Sequence, residues 1–281
     1  MKIDSHQHFW KYNTTDYVWM SDEHEPLKRD FLPEDLLPLL GKAGLTGSIA
    51  VQARQKVKET AWLLQLAGTH DFVRGVVGWL DLQSESLEAQ LDEFAPHPKL
   101  LGVRHLIHDE PNDLFVKGEA FRHGISLLSE RNLTYDLLLF PKHIAVSTEL
   151  VDSFPEQQFV IDHIAKPQIK EGILSPWRED MAEIAKRENV FCKVSGMVTE
   201  ATWNEWTAED FFPYLDVVFN AFGPERIMIG SDWPVCTLSG AYPAVIGIVK
   251  KYLGSSDTTS RDQVLGGTCA RFYGIDSATI S

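Results

Sequence analysis

Eight short apolar stretches recur along the chain, and a segment with helical character follows each one. The seven steps between their starts, from residue 2 to residue 226, average 32 residues, which is the length of one β-α unit. Strict alternation of strands and helices implies a parallel sheet with right-handed crossovers. The predicted strands are Lys2–Ser5, Gly47–Gln52, Val73–Trp79, Leu100–His105, Thr134–Leu139, Gln158–His163, Val190–Ser195 and Arg226–Gly230.

The intervening segments carry helix start and stop signals. One begins with Pro33-Glu34-Asp35, a proline followed by acids in the first turn. Another ends at Gly223-Pro224, a strong C-terminal stop. The predicted helices are 33–44, Lys56–His70, Ser84–Phe94, Glu119–Arg131, Lys142–Phe154, Trp177–Glu188, Ala208–Phe222, Tyr242–Tyr252 and Ser260–Tyr273.

Eight β-α units in 281 residues predict a single-domain (β/α)8 TIM barrel. An open, doubly wound sheet is the alternative, but no G-x-G-x-x-G or P-loop motif follows any predicted strand. No linker or low-complexity tract marks a domain boundary. The segment 10–29 after the first strand has four aromatic residues and no periodicity, so we expect an active-site loop there.

Charge and cysteine content exclude several classes of partner and environment. A net charge of −14 disfavours nucleic acid and anionic membranes as partners. Three cysteines without a C-x-x-C pair argue against a disulfide framework and favour a reducing cytoplasm. We find neither a signal-like N-terminus nor an apolar run near the ~20 residues needed to span a bilayer. The expected partner is a small molecule, and a homo-oligomer stays open.

Polar residues follow nearly every predicted strand, whereas the strand bodies are mainly apolar. In a TIM barrel the C-terminal ends of the strands face the active site, so we expect these side chains to converge there. The candidate site residues are His6, His8, Gln52, Arg54, Trp79, Arg104, His105, His108, His163, Lys166, Asp232 and Trp233.

Three of these residues are candidates for catalysis, each with a structural alternative. Asp232 is placed to act as a general base on water, or it caps the turn after the last strand. Arg104 can bind a carboxylate or carbonyl oxygen, or it forms a structural ion pair. His163 can orient water, protonate a leaving oxygen or bind metal, or it is a hydrogen-bonded core histidine.

The other candidates are assigned to substrate or metal binding. His6 and His8 are two positions apart, so they project together from a strand and can hold a metal or line a reacting group. Trp233 and Trp79 either wall a small-molecule pocket or pack in the core. The residues that can grip substrate hydroxyls are Gln52, Arg54, Trp79, His105, His108 and Lys166.

Four motifs give the chain its resemblance to a known superfamily. They are Ile3-Asp4-Ser5-His6-Gln7-His8, Gly102-Val103-Arg104-His105, Asp162-His163-Ile164-Ala165-Lys166-Pro167 and Gly230-Ser231-Asp232-Trp233-Pro234. Over nearly its whole length the chain resembles the amidohydrolase superfamily, in the lactonase branch with L-fuconolactonase-like, L-rhamnono-lactonase-like and pyrone-dicarboxylate lactonase enzymes. The His-x-His motif is common to the superfamily, whereas the last two motifs are more specific to the branch.

This sequence matches only part of the superfamily's set of metal ligands. The superfamily pattern takes ligands from a strand-one His-x-His, often a strand-four lysine, histidines of strands five and six, and a strand-eight aspartate. This sequence matches it with His6, His8, His163 and Asp232, but has Leu138-Leu139-Phe140 and Arg104-His105 at the ends of strands five and four. A binuclear centre is therefore disfavoured. A single divalent ion such as zinc on His6, His8 and Asp232 stays open, and we expect no metal to be required.

The resemblance implies hydrolysis of a sugar lactone, of the L-fuconolactone, L-galactonolactone or L-rhamnonolactone class, to its aldonic acid. Asp232 would deprotonate water, and Arg104, with His163, would stabilise the tetrahedral oxyanion. A metal-dependent decarboxylase of the same superfamily is the rival enzyme, which normally uses the missing strand-five histidine. A non-catalytic binding barrel is the third hypothesis, and it predicts ligand-induced thermal shifts without turnover.

Overall fold

The computed structural model describes residues 1–275 and contains one sheet of eight parallel strands in the order β1 to β8. Each predicted strand is found, with bounds shifted by a few residues. The prediction of a (β/α)8 barrel is therefore confirmed. The strands are β1 (Ile3–Gln7), β2 (Gly47–Val51), β3 (Val73–Gly78), β4 (Leu100–His105), β5 (Thr134–Leu137), β6 (Phe159–Ile161), β7 (Val190–Val194) and β8 (Ile227–Ile229).

The barrel closes where the chain leaves β8 beside β1. The amide of Asp232 donates to the His6 carbonyl at 2.8 Å, and the amide of His8 donates to the Trp233 carbonyl at 2.6 Å. The first and last strand ends therefore lie side by side at the C-terminal edge, although 226 residues of sequence separate His6 from Asp232.

A ring of helices surrounds the strands. Their apolar faces pack against the outward-facing strand residues, as the amphipathic pattern requires. The helices are α1 (Pro33–Lys42), α2 (Val57–Thr69), α3 (Leu87–Phe94), α4 (Glu119–Ser129), α5 (Ile144–Asp152), α6 (Trp177–Ile184), α7 (Phe212–Phe222), α8 (Tyr242–Tyr252), α9 (Thr258–Asp262) and α10 (Thr268–Phe272).

The prediction of one continuous helix over Ser260–Tyr273 was wrong. A π-helical turn, Gln263–Gly267, separates α9 from α10. At Gly266 a Cβ atom would lie 2.4 Å from the Met1 carbonyl, so the chain needs glycine to pass the start of β1. The displaced segment then brings Cys269, Phe272 and Tyr273 against inward-facing strand residues, where they close the N-terminal end of the barrel.

The segment 10–29 lies across the opposite end. The amides and carbonyls of Trp10 and Phe31 bond to each other at 2.9 and 3.0 Å, and the Phe31 ring contacts the Trp233 ring edge-on at 5.3 Å. A 3-10 helix, Asp22–Leu27, forms within the segment. Before this helix, the side chains of Val18 and Trp19 are exposed to solvent.

The three cysteines, Cys192, Cys236 and Cys269, are buried thiols. Burial in apolar surroundings raises the pKa of each thiol above its ordinary value, which keeps them protonated and unreactive. Across residues 1–275, helices with both the length and the hydropathy to cross a bilayer are absent.

Candidate active site

Buried polar side chains from four parts of the barrel meet at its C-terminal end. The rings of His6 and His8 lie 4.9 Å apart, and the His6 and His163 rings lie 4.3 Å apart. Arg104 and Asp232 complete the group, with 3% and 5% of their surfaces exposed. Side chains from four of the predicted strand ends therefore lie close together at this edge.

The backbone that presents this group is strained. After β6, the four residues from His163 to Lys166 all have positive φ, at 53°, 47°, 57° and 49°. Asp232 has a φ of 58°. Left-handed conformations are unfavourable for residues with a Cβ, at a cost of about 1–2 kcal/mol each, and they concentrate at functional sites.

A buried carboxylate holds the turn that carries Asp232. Asp4, on β1, accepts hydrogen bonds from the amide and hydroxyl of Ser231 at 2.9 and 2.6 Å. The Tyr242 hydroxyl donates to the same carboxylate at 2.9 Å. These bonds fix the residue immediately before Asp232, so the catalytic candidate is positioned by strand one as well as strand eight.

Asp232 and His8 face each other with two acceptor atoms. The His8 Nδ1–H donates to the Val51 carbonyl at 2.8 Å, which leaves an electron pair on His8 Nε2. That nitrogen lies 3.2 Å from Asp232 Oδ1. Two lone pairs that face each other at this distance repel, and a proton or a cation between them would relieve the repulsion, so the pair can receive and hold a proton.

His163 lies on the other side of Asp232. Its Nδ1 is 2.9 Å from the Ser195 hydroxyl, and its Nε2 is 3.8 Å from Asp232 Oδ1. Burial lowers the pKa of His163 well below its ordinary value, although Asp232 opposes this. Burial raises the pKa of Asp232, but His163 and His8 together lower it by a larger amount. The net shift is downward, so Asp232 is a carboxylate at neutral pH.

Arg104 is bound to His6 and Asp162 through one nitrogen. Its Nη1 donates to His6 Nε2 at 3.2 Å and to Asp162 Oδ2 at 3.0 Å. Its Nη2 donates to the Gln52 carbonyl. Among residues 1–275, Arg104 Nε has no hydrogen-bond partner although it is buried. The guanidinium therefore keeps donors that no residue of the described chain satisfies.

The predicted substrate-binding residues differ in whether their polar atoms have hydrogen-bond partners. Gln52 Oε1 and His108 Nδ1 are buried without a hydrogen-bond partner in the described chain. Arg54, in contrast, is paired with Asp16 and Glu59. Among the described residues, Gln52 Oε1 is therefore an acceptor without a donor and His108 Nδ1 lies 3.6 Å from Asp109 Oδ1, whereas the guanidinium of Arg54 is engaged.

Three other candidates are held by neighbouring side chains. The indole N–H of Trp79 donates to His105 Nδ1 at 3.3 Å, and His105 Nε2 lies 2.7 Å from Glu110. Lys166 Nζ donates to Glu200 at 2.5 Å. The second tryptophan among the candidates, Trp233, is buried against Phe9 and Phe31.

A groove of about 1240 Å³ borders the site. Phe140, Lys142, Lys166, Glu200 and Trp203 are among its lining residues. Lys166 also lowers the pKa values of Asp232, His163 and His108, after the larger effects of burial and nearer groups. The groove therefore comes near the buried group through Lys166, whereas His163 and Asp232 themselves do not line it.

The sequence did not reveal the polar residues beneath the site. Asp162, Lys193 and Asp136 lie within predicted strands and Tyr273 ends a predicted helix, and no sequence motif assigns a role to any of them. All four are buried, and Lys193 binds both carboxylates. A charged residue within an apolar strand, as at Asp136 and Lys193, is the signal that could have identified them.

The donor atoms fit a single divalent ion. One ligand atom each from His6, His8 and Asp232 lie within 4.8 Å of one another, and two imidazoles with a carboxylate suit zinc. The facing lone pairs of His8 and Asp232 are a further feature of such a site. His6 Nε2, however, already accepts a bond from Arg104, so an ion would compete with the guanidinium for that nitrogen.

Comparison with known proteins gives a family match and related enzymes. The sequence model of a family described as Amidohydrolase matches residues 3–275. The chain is 37% identical to an L-fucono-1,5-lactonase of Burkholderia multivorans over 98% of this chain and 96% of that protein. It is 34% identical to an L-fucono-1,5-lactonase of Burkholderia ambifaria, with the same shares covered.

A solved structure is also similar. It is an amidohydrolase from Burkholderia multivorans with bound zinc, 38% identical in sequence, with a TM-score of 0.95 over 98% of this chain and 100% of that one.

Proposed function

The chain belongs to the amidohydrolase family, and on that premise we propose that it hydrolyses a sugar lactone to the corresponding aldonic acid. The full-length similarity to two L-fucono-1,5-lactonases supports a substrate of the L-fuconolactone class. The observation that carries the proposal is the Asp232 carboxylate between His8 and His163, beside a guanidinium with free donors.

Asp232 acts as the general base. It is ionised at neutral pH, and a water molecule hydrogen-bonded to its carboxylate can lose a proton as it attacks the lactone carbonyl. His163 Nε2, 3.8 Å from Asp232 Oδ1, is too far for a direct hydrogen bond. This separation leaves His163 free to contact the same water and orient it.

Arg104 stabilises the charge that develops on the carbonyl oxygen. Its Nε–H, which lacks a partner in the described residues, and its second Nη2–H are the available donors. Donors fixed before the reaction lower the barrier because they need no reorganisation as the oxyanion forms. The bonds of Arg104 to Asp162 and His6 supply this rigidity.

Collapse of the tetrahedral intermediate breaks the bond to the ring oxygen. An alkoxide is a poor leaving group, so the proton taken from water by Asp232 is returned to that oxygen. The proton can be held between Asp232 Oδ1 and His8 Nε2 in the interval, because both atoms are acceptors. One water is consumed, and the products are a hydroxyl and a carboxylic acid on one open chain.

We propose that no metal is required for these steps. When bound by His6, His8 and Asp232, a divalent ion would acidify a coordinated water. Asp232 already provides a general base, Arg104 provides a hydrogen-bond donor to the oxyanion, and Asp232 with His8 can hold the transferred proton. Metal dependence is therefore a separate question from lactone hydrolysis.

The test is a pH-indicator screen of aldono-1,4- and aldono-1,5-lactones, using protein treated with chelator and the same protein reloaded with zinc. We expect acid release with L-fuconolactone-class substrates in both samples, and none above background with the Asp232→Asn variant. Turnover that is unchanged in Asp232→Asn would refute the role of Asp232. Activity restored only by zinc would refute metal independence and leave the lactonase assignment standing.

A further inference from the structure

A column of buried polar side chains connects the closed end of the barrel to the active site. We define this column as Tyr273, Asp136, Lys193 and Asp162. The Tyr273 hydroxyl lies 3.1 Å from both oxygens of Asp136. Lys193 Nζ donates to Asp136 Oδ2 and, at 3.1 Å, to Asp162 Oδ1. The side chains of Asp136, Lys193 and Asp162 are completely buried.

The column and Arg104 together are balanced in charge. Asp136 and Asp162 are two carboxylates, and Lys193 and Arg104 are two cations in direct contact with them. Burial lowers the pKa of Lys193, but the attraction of Asp136 and Asp162 outweighs it, so the net shift is upward. Buried ion pairs are often no more stabilising than apolar residues of similar volume. Stability alone therefore gives little reason to place four charges in this core.

The hydrogen bonds at the top of the column determine the tautomer of His6. Arg104 Nη1 can only donate, so His6 Nε2, 3.2 Å away, must carry an electron pair. The ring proton is therefore on Nδ1 and is donated to Asp162 Oδ1 at 3.1 Å. Lys193 Nζ, 3.3 Å from the same Nδ1, is then bonded to the two carboxylates and not to His6.

Asp162 is held from two sides. Lys193 binds Oδ1 from below at 3.1 Å, and Arg104 binds Oδ2 at 3.0 Å. The position of this carboxylate sets the direction of the His6 ring, and the His6 ring in turn accepts from Arg104. A shift of Asp162 would therefore be passed to the guanidinium of Arg104, which binds both Asp162 and His6.

We propose that Lys193 is a positioning residue that holds the Asp162 carboxylate in place. Through Asp162 it fixes the tautomer of His6 and the orientation of the Arg104 guanidinium. Asp136, itself bound by Tyr273, holds Lys193 from the other side. The predicted effect of Lys193 on turnover rests on the proposed lactonase function. The predicted effect of Lys193 on the His6 tautomer is independent of that function.

The test compares Lys193→Met, Tyr273→Phe and a matched control in metal-free protein. Lys193→Met removes the charge and keeps a long apolar side chain. Tyr273→Phe removes one hydroxyl that binds Asp136. The control is Tyr135→Phe, since the Tyr135 hydroxyl is equally buried but has no hydrogen-bond partner within residues 1–275.

The first measurement is the nitrogen-15 NMR spectrum of the histidine rings, with the His6 signals assigned from a His6→Gln variant. We expect a single Nδ1–H tautomer of His6 in the wild type and in Tyr135→Phe. Lys193→Met removes the bond to Asp162 Oδ1, so Asp162 and with it Arg104 should shift away from His6, and we expect a mixture of tautomers. An unchanged His6 spectrum in folded Lys193→Met would overturn the proposal.

The second measurement is steady-state hydrolysis. Displacing Arg104 weakens an interaction made mainly in the transition state, so Lys193→Met should lower kcat by about 10²-fold with little change in KM. Tyr273→Phe should lower kcat less, because Asp136 still holds Lys193. A loss confined to KM, or equal losses in Tyr273→Phe and Tyr135→Phe, would contradict the positioning role.

Two outcomes need separate treatment. If Lys193→Met does not fold, the double variant Lys193→Met/Asp136→Asn removes one charge of each sign and leaves Arg104 balanced by Asp162. A wild-type His6 spectrum and kcat in that variant would overturn the proposal. If the wild type lacks lactonase activity but the tautomer changes in Lys193→Met, the proposed function is wrong and the positioning role is supported.

Discussion

The interior of the barrel differs sharply below and above the His6 ring. Below it, Lys193 contacts the carboxylates of both Asp136 and Asp162, and the Tyr273 hydroxyl bonds Asp136. Each charge of the column is therefore in contact with an opposite charge. Above it, at the mouth, Arg104 Nε and Gln52 Oε1 are buried without partners in the described chain. The strained backbone also lies at the mouth, in the turn 163–166 and at Asp232.

This difference separates the residues that hold the site from those that meet the substrate. Unsatisfied buried polar groups and strained conformations persist only where other interactions maintain them. A rigid, paired interior supplies those interactions, and a substrate with hydroxyl and carbonyl groups would satisfy the atoms left open. Substitutions at the mouth should therefore reduce turnover more than folding stability, and the following changes test that contrast.

The largest effect is expected for Asp232→Asn. The amide is nearly isosteric but cannot take a proton from water, so kcat should fall by about 10²–10⁴-fold while the thermal midpoint changes little. Kinetics on the preferred lactone and a thermal unfolding curve measure the two quantities. The exposed Asp71→Asn substitution is the control for loss of one negative charge. Equal activity in the two variants would remove Asp232 from the mechanism.

Arg104→Met should have the next largest effect. Removing an oxyanion donor typically costs about 10²–10³-fold in kcat. The same change frees His6 Nε2, which now accepts from Arg104, so zinc should bind more tightly to the variant than to the wild type. Competition with a chromophoric chelator measures that affinity. Weaker zinc binding in Arg104→Met would show that the guanidinium does not compete with the ion.

The fold was predictable because it depends on a repeated pattern. Eight apolar runs with helical segments between them define a barrel whatever the individual side chains are, and each predicted strand was found. The exception was the break between α9 and α10. It arises from the close approach of Gly266 to the Met1 carbonyl, a contact between opposite ends of the sequence that no local pattern contains.

The candidate site was predictable only at the level of strand ends. His6, Arg104, His163 and Asp232 meet because their strands share one edge. Side-chain partners were not predictable. Arg54 turned out to be paired with Asp16 and Glu59, which depends on how the loop 10–29 folds back. Tyr273 reaches Asp136 across 137 positions of sequence.

Strain at the mouth can be tested with two glycines that share a left-handed backbone. Gly196 has a φ of 61°, and a Cβ there would lie 2.5 Å from His163 Nδ1. Gly172 has a φ of 68° and open space around that position. Alanine at either residue should destabilise the fold by about 1–2 kcal/mol, but only Gly196→Ala should displace His163.

The expected kinetic difference between these variants is about 10–10²-fold in kcat, in the range that a 1 Å displacement of a catalytic group produces. Gly172→Ala should keep wild-type turnover below its unfolding temperature. Similar kcat values for the two variants would show that the position of His163 does not limit the reaction.

The smallest effect should appear in the pH dependence of stability. Burial lowers the pKa of His108 to about 3, with Lys166 and Arg104 acting in the same direction. In the unfolded chain the imidazole titrates near 6.5, so below that pH the unfolded state binds a proton that the folded state does not. His108 therefore carries no penalty for folding above pH 6.5, and it destabilises the fold increasingly as the pH falls from 6.5 towards 3.

Urea unfolding of the wild type and of His108→Gln at pH 7 and pH 5 measures this contribution. Between those values the wild type should lose up to about 2 kcal/mol more of its unfolding free energy than the variant. The matched control is His123→Gln, the same substitution at an exposed position. Equal slopes for wild type and His108→Gln would mean that burial does not keep His108 neutral in the folded chain.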